Sequence, residues 1–243
     1  LSDEVILKVD GMSNSKIHDV SFELHKGEIL GFYGLVGSGR TETLRTIYGA
    51  SKFGGGSLRY KGKDVRFKSP AESIANGIGL LPKNRKIHGL VLGLPVWENM
   101  SMVSLYQFLS HGVLQYKKMF DQCNRYRDEL KVKTPTVKTL VQNLSGGNQQ
   151  KVILAKWIMR DCDVPLIDEP TQGIDVGAKD EIYKIVGQIS ERGKSIIIAS
   201  SELEELMRIC DRILVMYEGR VVKIYNNQNL NSDDVLQSSV SGR

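Results

Sequence analysis

The amino-acid sequence predicts an α/β fold with a mixed, mainly parallel core sheet. From residue 145 onward, helical and strand-like segments alternate. The predicted order is helix 146–160, strand 164–167, helix 178–191, strand 195–199, helix 202–209 and strands 212–216 and 220–225. Strands that alternate with helices build a parallel sheet covered on both faces. Earlier, a strand, a glycine-rich loop and a helix follow one another over residues 29–44, an order typical of phosphate-binding βα units.

The rest of the chain divides by the character of its sequence. Short β-type runs dominate the first part, with predicted strands at 5–9, 20–24, 28–34 and 77–81 and a hairpin at 57–65. Residues 95–143 instead show helical periodicity with charged faces, which predicts an inserted helical subdomain. We therefore interpret the chain as a single domain, 1–243. Its core with β-type segments covers 1–94 and 144–225, and a polar tail, expected to be frayed, covers 226–243.

The composition is that of a globular protein. Of 243 residues, 41% are apolar and 25% charged, which argues against disordered, collagen-like and fibrous coiled-coil classes. No apolar stretch approaches the roughly 18 residues of a membrane span, and no signal peptide is recognisable. The first residue is Leu rather than Met, which suggests a fragment of a longer chain. Cys123, Cys162 and Cys210 are widely separated, which predicts reduced thiols in a cytosolic protein rather than metal ligands or a disulfide framework.

The charge balance is mildly basic. Lys and Arg number 33 against 28 Asp and Glu, so the net charge is +5. Such an excess suits phosphate ligands, nucleic acid or an anionic membrane surface, yet it is common on proteins that bind none of these. The basic run at 83–86 (KNRK) fits contact with lipid headgroups or nucleic acid, and it fits a solvated loop equally well.

Residues 34–41 form the candidate phosphate loop. They match the pattern G-x-x-x-x-G-K-T at every position except Arg40, which replaces Lys. Glycines let the backbone bend tightly and aim its N–H groups at phosphate oxygens, and the hydroxyl of Thr41 is placed to ligate Mg²⁺. The alternative is a glycine-rich turn without a ligand. The candidate nucleotide-binding residues are Gly34, Leu35, Val36, Gly37, Ser38, Gly39, Arg40, Thr41 and Glu42.

Two carboxylates, Asp168 and Glu169, follow the predicted strand 164–167. At the carboxyl edge of a parallel sheet they would face the phosphate loop. Asp168 would then hold Mg²⁺ through water, and Glu169 would polarise the attacking water as the catalytic residue. Taken in isolation, two such carboxylates are often only helix caps.

A second candidate anion-binding helix start precedes the helix predicted at 146–160. Ser145 is the expected N-cap, and the glycine pair after it exposes backbone donors. One phosphate needs only one such start, so this one suggests a phosphate bound by another subunit or domain. The residues concerned are Leu144, Ser145, Gly146, Gly147, Asn148 and Gln149.

Three segments, GLVGSGRTE (34–42), LSGGNQQ (144–150) and DEPTQGIDVGAK (168–179), together resemble an ATP-binding-cassette domain. They are most similar to the C-terminal cassette of bacterial monosaccharide importers, and the likeness extends over about residues 5–225. The resemblance implies a P-loop NTPase cassette with a mixed core sheet, an antiparallel β subdomain and an inserted helical subdomain. It also implies ATP and Mg²⁺ as cofactors.

The same resemblance implies partners. Two cassettes would pair head to tail, so that the signature 144–149 completes the site of a second, N-terminal cassette, and Asp175 would lie in the loop at the dimer seam. Transmembrane permease subunits and, indirectly, a periplasmic sugar-binding protein would be further partners, on the cytoplasmic face of the inner membrane. Nucleic acid would not be one. Trp97 could then dock the permease or anchor the helical subdomain.

This sequence departs from the family pattern at Arg40, at Ser201, which stands at the switch position normally held by His, and at Lys83, where this branch often has an acid. The ring that stacks on adenine is also missing, which leaves Met12 or His18 to pack there. We therefore expect the chain's own half-site to bind ATP with little or no turnover. The alternatives are a regulatory ATP-binding module that does not hydrolyse ATP and, on the basic pI, a DNA-repair cassette. The latter is weakened because such cassettes usually carry a long coiled coil.

Overall fold

The computed structural model describes residues 2–228 and 230–242. Leu1, Asn229 and Arg243, which the sequence analysis assigned to the domain and its tail, lie outside the described residues. The strands are β1 Val5–Ser13, β2 Val20–His25, β3 Ile29–Tyr33, β4 Gly55–Tyr60, β5 Lys63–Val65, β6 Ile78–Leu81, β7 Leu109–Ser110, β8 Val113–Leu114, β9 Val164–Asp168, β10 Ile196–Ser200, β11 Arg212–Tyr217 and β12 Arg220–Asn226. The α-helices are α1 Arg40–Ile47, α2 Pro70–Ala75, α3 Val96–Ser101, α4 Tyr116–Glu129, α5 Gly146–Arg160, α6 Val176–Glu191, α7 Leu203–Ile209 and α8 Ser232–Ser241.

The chain forms two compact units. The first contains the residues up to Leu80, residues 163–169 and the residues from Ile189 onward; the second contains residues 81–162 and 170–188. The subdomain boundaries expected from the sequence, 1–94 with 144–225 and 95–143, stay a prediction.

The first unit is built on a six-stranded sheet in the order β12-β11-β3-β10-β9-β6. Strands β11, β3, β10 and β9 run parallel, whereas β12 pairs antiparallel with β11 at the edge. Every residue of β3, β9 and β10 is buried, because the continuous apolar runs in these strands pack on both faces of the sheet. Pro165 precedes Leu166, the first residue of β9 that pairs with β10. The predicted mixed α/β fold class is confirmed.

A second sheet of the first unit is fully antiparallel, in the order β2-β1-β4-β5. In β2 the apolar residues Val20, Phe22 and Leu24 are buried and alternate with more exposed polar ones, as expected for a sheet with one covered face. Phe22 packs edge-to-face on Phe32 of β3, with ring centroids 5.1 Å apart.

The second unit is mainly helical and contains α3, α4, α5 and most of α6. In α4 the buried residues Met119, Cys123 and Tyr126 recur at helical spacing, which is the periodicity read from the sequence. The ring of Trp97 lies 4.9 Å from that of Phe120, centroid to centroid, so Trp97 anchors the packing of α3 on α4.

The tail was expected to be frayed, and for its described part this prediction is wrong. Helix α8 covers Ser232–Ser241, and the side chain of Asn231 caps it by accepting a hydrogen bond from the N–H of Asp233. Val235 is fully buried, and the hydroxyl groups of Tyr225 and Ser238 are hydrogen-bonded at 2.8 Å. One large apolar residue and two buried serines suffice for this helix to pack, although its composition is polar.

Lys156 is a buried cation on α5. Its Nζ donates a hydrogen bond of 2.6 Å to the carbonyl oxygen of Gly89, and its side chain is almost fully covered. Burial lowers the pKa of Lys156 from its ordinary value of 10.5 to about 8, because the charged form loses its hydration. The folded state therefore binds fewer protons than the unfolded state between these two values, and stability rises with pH across that interval.

We predict that Lys156→Met removes this rise. In the wild type, the free energy of unfolding should gain up to about 3 kcal/mol relative to the variant between pH 8 and 10.5. Chemical denaturation at several pH values measures the difference. The exposed Lys117→Met is the matched control and should keep the wild-type pH dependence. A Lys156→Met protein with the wild-type slope would contradict the assignment.

Candidate functional site

The candidate nucleotide site of the first unit lies at the carboxyl ends of three neighbouring parallel strands, β3, β10 and β9. Ser200 is aligned with Tyr33, and Ala199 is aligned with Asp168. The N–H of Glu169 donates to the carbonyl oxygen of Ala199 at 2.8 Å, which extends the ladder by one residue. The loop after β3, the carboxylates after β9 and Ser201 after β10 therefore meet at one edge of the sheet.

The loop between β3 and α1 has the backbone that its glycines allow. Gly37 and Gly39 have φ angles of +86° and +101°, and Gly39 is the residue that precedes the first turn of α1. The side chains of Leu35 and Val36 point outward and are 51% and 84% exposed. No side chain caps α1, so its first N–H groups remain available to an anion.

Ser38 and Gly34 form the inner wall of this loop. The Oγ of Ser38 is buried and has no hydrogen-bond partner among the described residues. A Cβ at Gly34 would stand 2.4 Å from the carbonyl oxygen of Met216 and 2.5 Å from the Ser38 Oγ. The loop is thus closed tightly on its inner side, and it offers an unsatisfied hydroxyl together with uncapped N–H groups. These features fit a bound phosphate chain.

Arg40 forms a buried ion pair with Glu169. The Nη1 of Arg40 lies 3.1 Å from the Oε1 of Glu169, and the two side chains are only 6% and 7% exposed. The other carboxylate oxygen, Oε2, accepts a 3.3 Å hydrogen bond from the Oγ of Ser201. Glu169 also has a φ of +48°, a left-handed conformation that is uncommon for Glu. Oε2 is therefore hydrogen-bonded, whereas Oε1 lies in ion-pair contact with the guanidinium without a hydrogen bond of good geometry.

Thr41 and Asp168 are the candidate ligands of Mg²⁺, and both belong to the first unit. Thr41 is half-buried at the start of α1, and Asp168 is buried at the end of β9. A hydroxyl and a carboxylate are hard oxygen donors, and Mg²⁺ is usually held by one or two such groups together with substrate phosphates. The donor set therefore fits the ion. Met12, considered for adenine packing, is fully buried in β1, which leaves the exposed His18.

The candidate signature, residues 144–149, lies in the second unit at the start of α5. Ser145 is the N-cap residue of α5, as predicted, but its side chain makes no capping hydrogen bond. Its Oγ instead accepts a 2.8 Å hydrogen bond from the Nδ2 of Asn148. The first N–H groups of α5 thus have no side-chain cap, and the Ser145 hydroxyl is exposed beside them.

The two glycines of the signature are required by packing. A Cβ at Gly146 would stand 2.6 Å from the Nη2 of Arg85 and 3.0 Å from the carbonyl oxygen of Gly173, and one at Gly147 would stand 2.6 Å from the Cβ of Ala178. Asp175, the predicted seam residue, accepts a 2.9 Å hydrogen bond from the N–H of Ala178 through its Oδ1 and so caps the start of α6. Ser145, Asn148 and Asp175 line a common cavity.

Known proteins resemble this chain in sequence over most of its length. Residues 17–172 match the sequence pattern of the family described as ABC transporter. This chain belongs to that family. A putative ribose/galactose/methyl galactoside import ATP-binding protein from Halalkalibacterium halodurans is 44% identical over 96% of the chain and 45% of its own length. The ribose import ATP-binding protein RbsA from Lactococcus lactis subsp. cremoris is 40% identical over 99% and 49%, respectively. The chain spans about half the length of these relatives.

Solved structures show the same fold. The cbiO1 protein from Clostridium perfringens, part of an ABC transporter complex, superposes with a TM-score of 0.80 at 20% identity and covers 99% of this chain and 96% of its own. The ATP-binding cassette MJ0796, solved as a dimer with ADP and Pi, has a TM-score of 0.80 at 17% identity and covers 93% and 100%. At these identities the likeness concerns the fold alone. Among the described residues of this cassette, no helix combines the length and apolar character of a membrane span.

We predict that Gly34→Ala both destabilises the cassette and weakens nucleotide binding. The added methyl group would overlap the carbonyl oxygen of Met216, which should lower the free energy of unfolding by about 1–3 kcal/mol. The affinity for MgATP, measured by calorimetry, should fall at least about tenfold because the loop must shift. Gly55→Ala is the control, since no atom lies within 4 Å of its Cβ position. A Gly34→Ala protein with wild-type affinity would contradict the loop assignment.

Proposed function

We propose that this chain is the C-terminal nucleotide-binding cassette of a bacterial sugar importer of the ribose/galactose type. It binds MgATP on its own phosphate loop with little turnover, and it contributes its signature to the ATPase site of a second, N-terminal cassette. The identity of 44% to a ribose/galactose/methyl galactoside import ATP-binding protein supports the sugar-importer branch. The buried ion pair of Arg40 and Glu169 is the observation that carries the division of roles between the two sites.

On the chain's own side, the N–H groups around residues 37–40 and the Ser38 hydroxyl bind the phosphates. Thr41 and Asp168 would hold the metal ion, which would supply positive charge against the phosphates. Arg40 carries the positive charge that Lys supplies in the usual motif. Arg is planar and longer than Lys, so it can form an ion pair with Glu169 while its backbone remains in the loop.

Slow turnover follows from the state of Glu169. A general base needs a free oxygen within reach of the proton that it removes. Here one oxygen pairs with the guanidinium of Arg40 and the other accepts a hydrogen bond from Ser201. At the switch position, Ser201 provides no imidazole to contact the γ-phosphate.

On the other side, the exposed hydroxyl of Ser145 and the uncapped N–H groups of α5 bind the nucleotide of the partner cassette, with Asp175 at the seam. Permease subunits and, through them, a periplasmic sugar-binding protein are the further partners, at the cytoplasmic face of the inner membrane. The same ion pair also favours the alternative of a regulatory module that binds ATP without hydrolysis. The two functions differ in whether the assembled pair turns over ATP.

We predict that the isolated chain binds MgATP but hydrolyses almost none, and that mixing it with its N-terminal cassette produces steady turnover. Ser145→Arg should abolish that turnover, because a bulky cation fills the phosphate position of the shared site. Phosphate release measures the rate, and calorimetry measures binding. Ser110→Arg, on the exposed β7–β8 hairpin, is the control and should leave the rate unchanged. Turnover that survives Ser145→Arg would contradict the shared site. A pair without turnover would favour the regulatory module.

We predict that Arg40→Lys combined with Ser201→His activates the chain's own half-site. The exchange releases Glu169 from the guanidinium and restores an imidazole, so turnover should rise at least about tenfold, or about 1.4 kcal/mol in barrier. The measurement uses an assembled pair whose partner phosphate loop is disabled. Adding Glu169→Gln should return the rate to its starting level. A rate that does not rise would show that the ion pair is not what limits turnover.

A further inference from the structure

Arg85 belongs to the basic run at 83–86, for which the sequence predicts lipid headgroups, nucleic acid or solvent as the contact, yet its guanidinium is engaged inside the second unit. Its Nη1 donates to the carbonyl oxygen of Gln172 at 2.7 Å, and its Nη2 donates to that of Gly173 at 3.1 Å. Its Nε donates to the Oε1 of Gln149 at 3.3 Å. One side chain thus joins the segment that leads to Asp175 with the first turn of α5.

The three hydrogen bonds of Arg85 require a planar guanidinium group. Three nitrogens of one planar group reach three acceptors on two different segments, which the single ammonium of Lys cannot do in the same geometry. The Oε1 of Gln149 is one of those acceptors, while its Nε2 donates to the carbonyl oxygen of Val141 at 3.2 Å. The buried Gln149 is therefore hydrogen-bonded both to Arg85 and to the turn that precedes the signature.

The turn that carries Arg85 is itself held in place. Residues Arg85–Gly89 form one π-helical turn, and the Asn84 side chain accepts a hydrogen bond from the N–H of Ile87 at 3.3 Å. At its other end, the carbonyl oxygen of Gly89 accepts the 2.6 Å hydrogen bond from Lys156 of α5. Arg85 is therefore presented from a backbone fixed at both ends.

The three acceptors are all neutral oxygens, so these contacts do not compensate the charge of the guanidinium. Gly146 packs against it so closely that any side chain there would collide with the Nη2 of Arg85 or with the carbonyl oxygen of Gly173. The contact between residues 172–173 and the start of α5 thus depends on both Arg85 and Gly146. On the other side of this contact, Ser145 and Asp175 line the same cavity.

We infer that Arg85 is a positioning residue for the half-site that this chain lends to its partner's nucleotide. It holds residues 172–173 against α5, and it thereby sets the separation between the Ser145 hydroxyl and Asp175. The inference rests on the proposed function, since it concerns the shared site. Beyond that function, we assign Arg85, in the basic run at 83–86, an effect on the partner's turnover without any contact to the nucleotide.

The test compares Arg85→Lys and Arg85→Gln with wild type in the assembled pair. Arg85→Lys keeps the charge and loses the three-way contact, so we expect kcat to fall at least about tenfold with KM within about twofold. MgATP affinity at this chain's own loop and the midpoint of thermal unfolding should stay close to wild type. Hydrogen exchange at the amides of residues 146–149 and 172–175 should accelerate. Arg125→Lys, an exposed arginine over the ring of Tyr126, is the matched control and should change none of these readouts.

Three results would overturn the inference. They are wild-type kcat in Arg85→Lys, unchanged exchange at both segments, and a loss of kcat that merely follows a general loss of stability in both variants. If the wild-type pair showed no turnover dependent on Ser145, the proposed function would fail instead. Hydrogen exchange would then decide the positioning role on its own: local acceleration in Arg85→Lys would support it, and unchanged exchange would overturn it.

Discussion

The parallel pairing of β3, β10 and β9 is the constraint on which the first unit depends. Parallel strands place their carboxyl ends at one edge, so three segments far apart in sequence, at residues 34–41, 168–169 and 201, become neighbours. The register also determines which atoms meet, because Glu169 continues the ladder through Ala199. A shift of one residue in β9 would exchange the faces of Asp168 and Glu169. The chemistry of the edge is thus a consequence of strand register.

Because the Arg40–Glu169 ion pair is buried, breaking it is costly. Removing one member of a buried pair leaves an uncompensated charge and typically costs about 3–5 kcal/mol, whereas exchanging Arg for Lys preserves the charge and gives up the directed geometry. Under the proposed function, nucleotide binding and nucleotide turnover are separable at this site, since binding would use N–H groups and the Ser38 hydroxyl and turnover would need a free Glu169.

The sequence predicted most strands and the glycine-rich loop between β3 and α1 because these depend on local patterns. The apolar runs of β3, β9 and β10, and the glycine spacing at 34–39, are sufficient without knowledge of the rest of the chain. Three features depend on distant partners and were missed. Arg85 bonds to carbonyl oxygens more than eighty residues away, which no side-chain pattern reveals. Helix α8 packs through Val235 and buried serines, and the buried Lys156 is satisfied by the backbone of Gly89.

The glycines of the candidate signature, Gly146 and Gly147, show that a sequence motif can carry a packing role that its pattern does not reveal. Read from the sequence, Gly146 and Gly147 expose helix N–H groups to an anion. The structure adds that each also lies where a Cβ would meet Arg85 or Ala178, so the segment 171–178 packs directly on the start of α5. Under the proposed function, the same two residues would therefore serve both the ligand and the packing. A substitution at Gly146 or Gly147 would affect both roles at once and could not distinguish them. A change at Arg85 instead alters the packing and leaves the N–H groups of α5 in place.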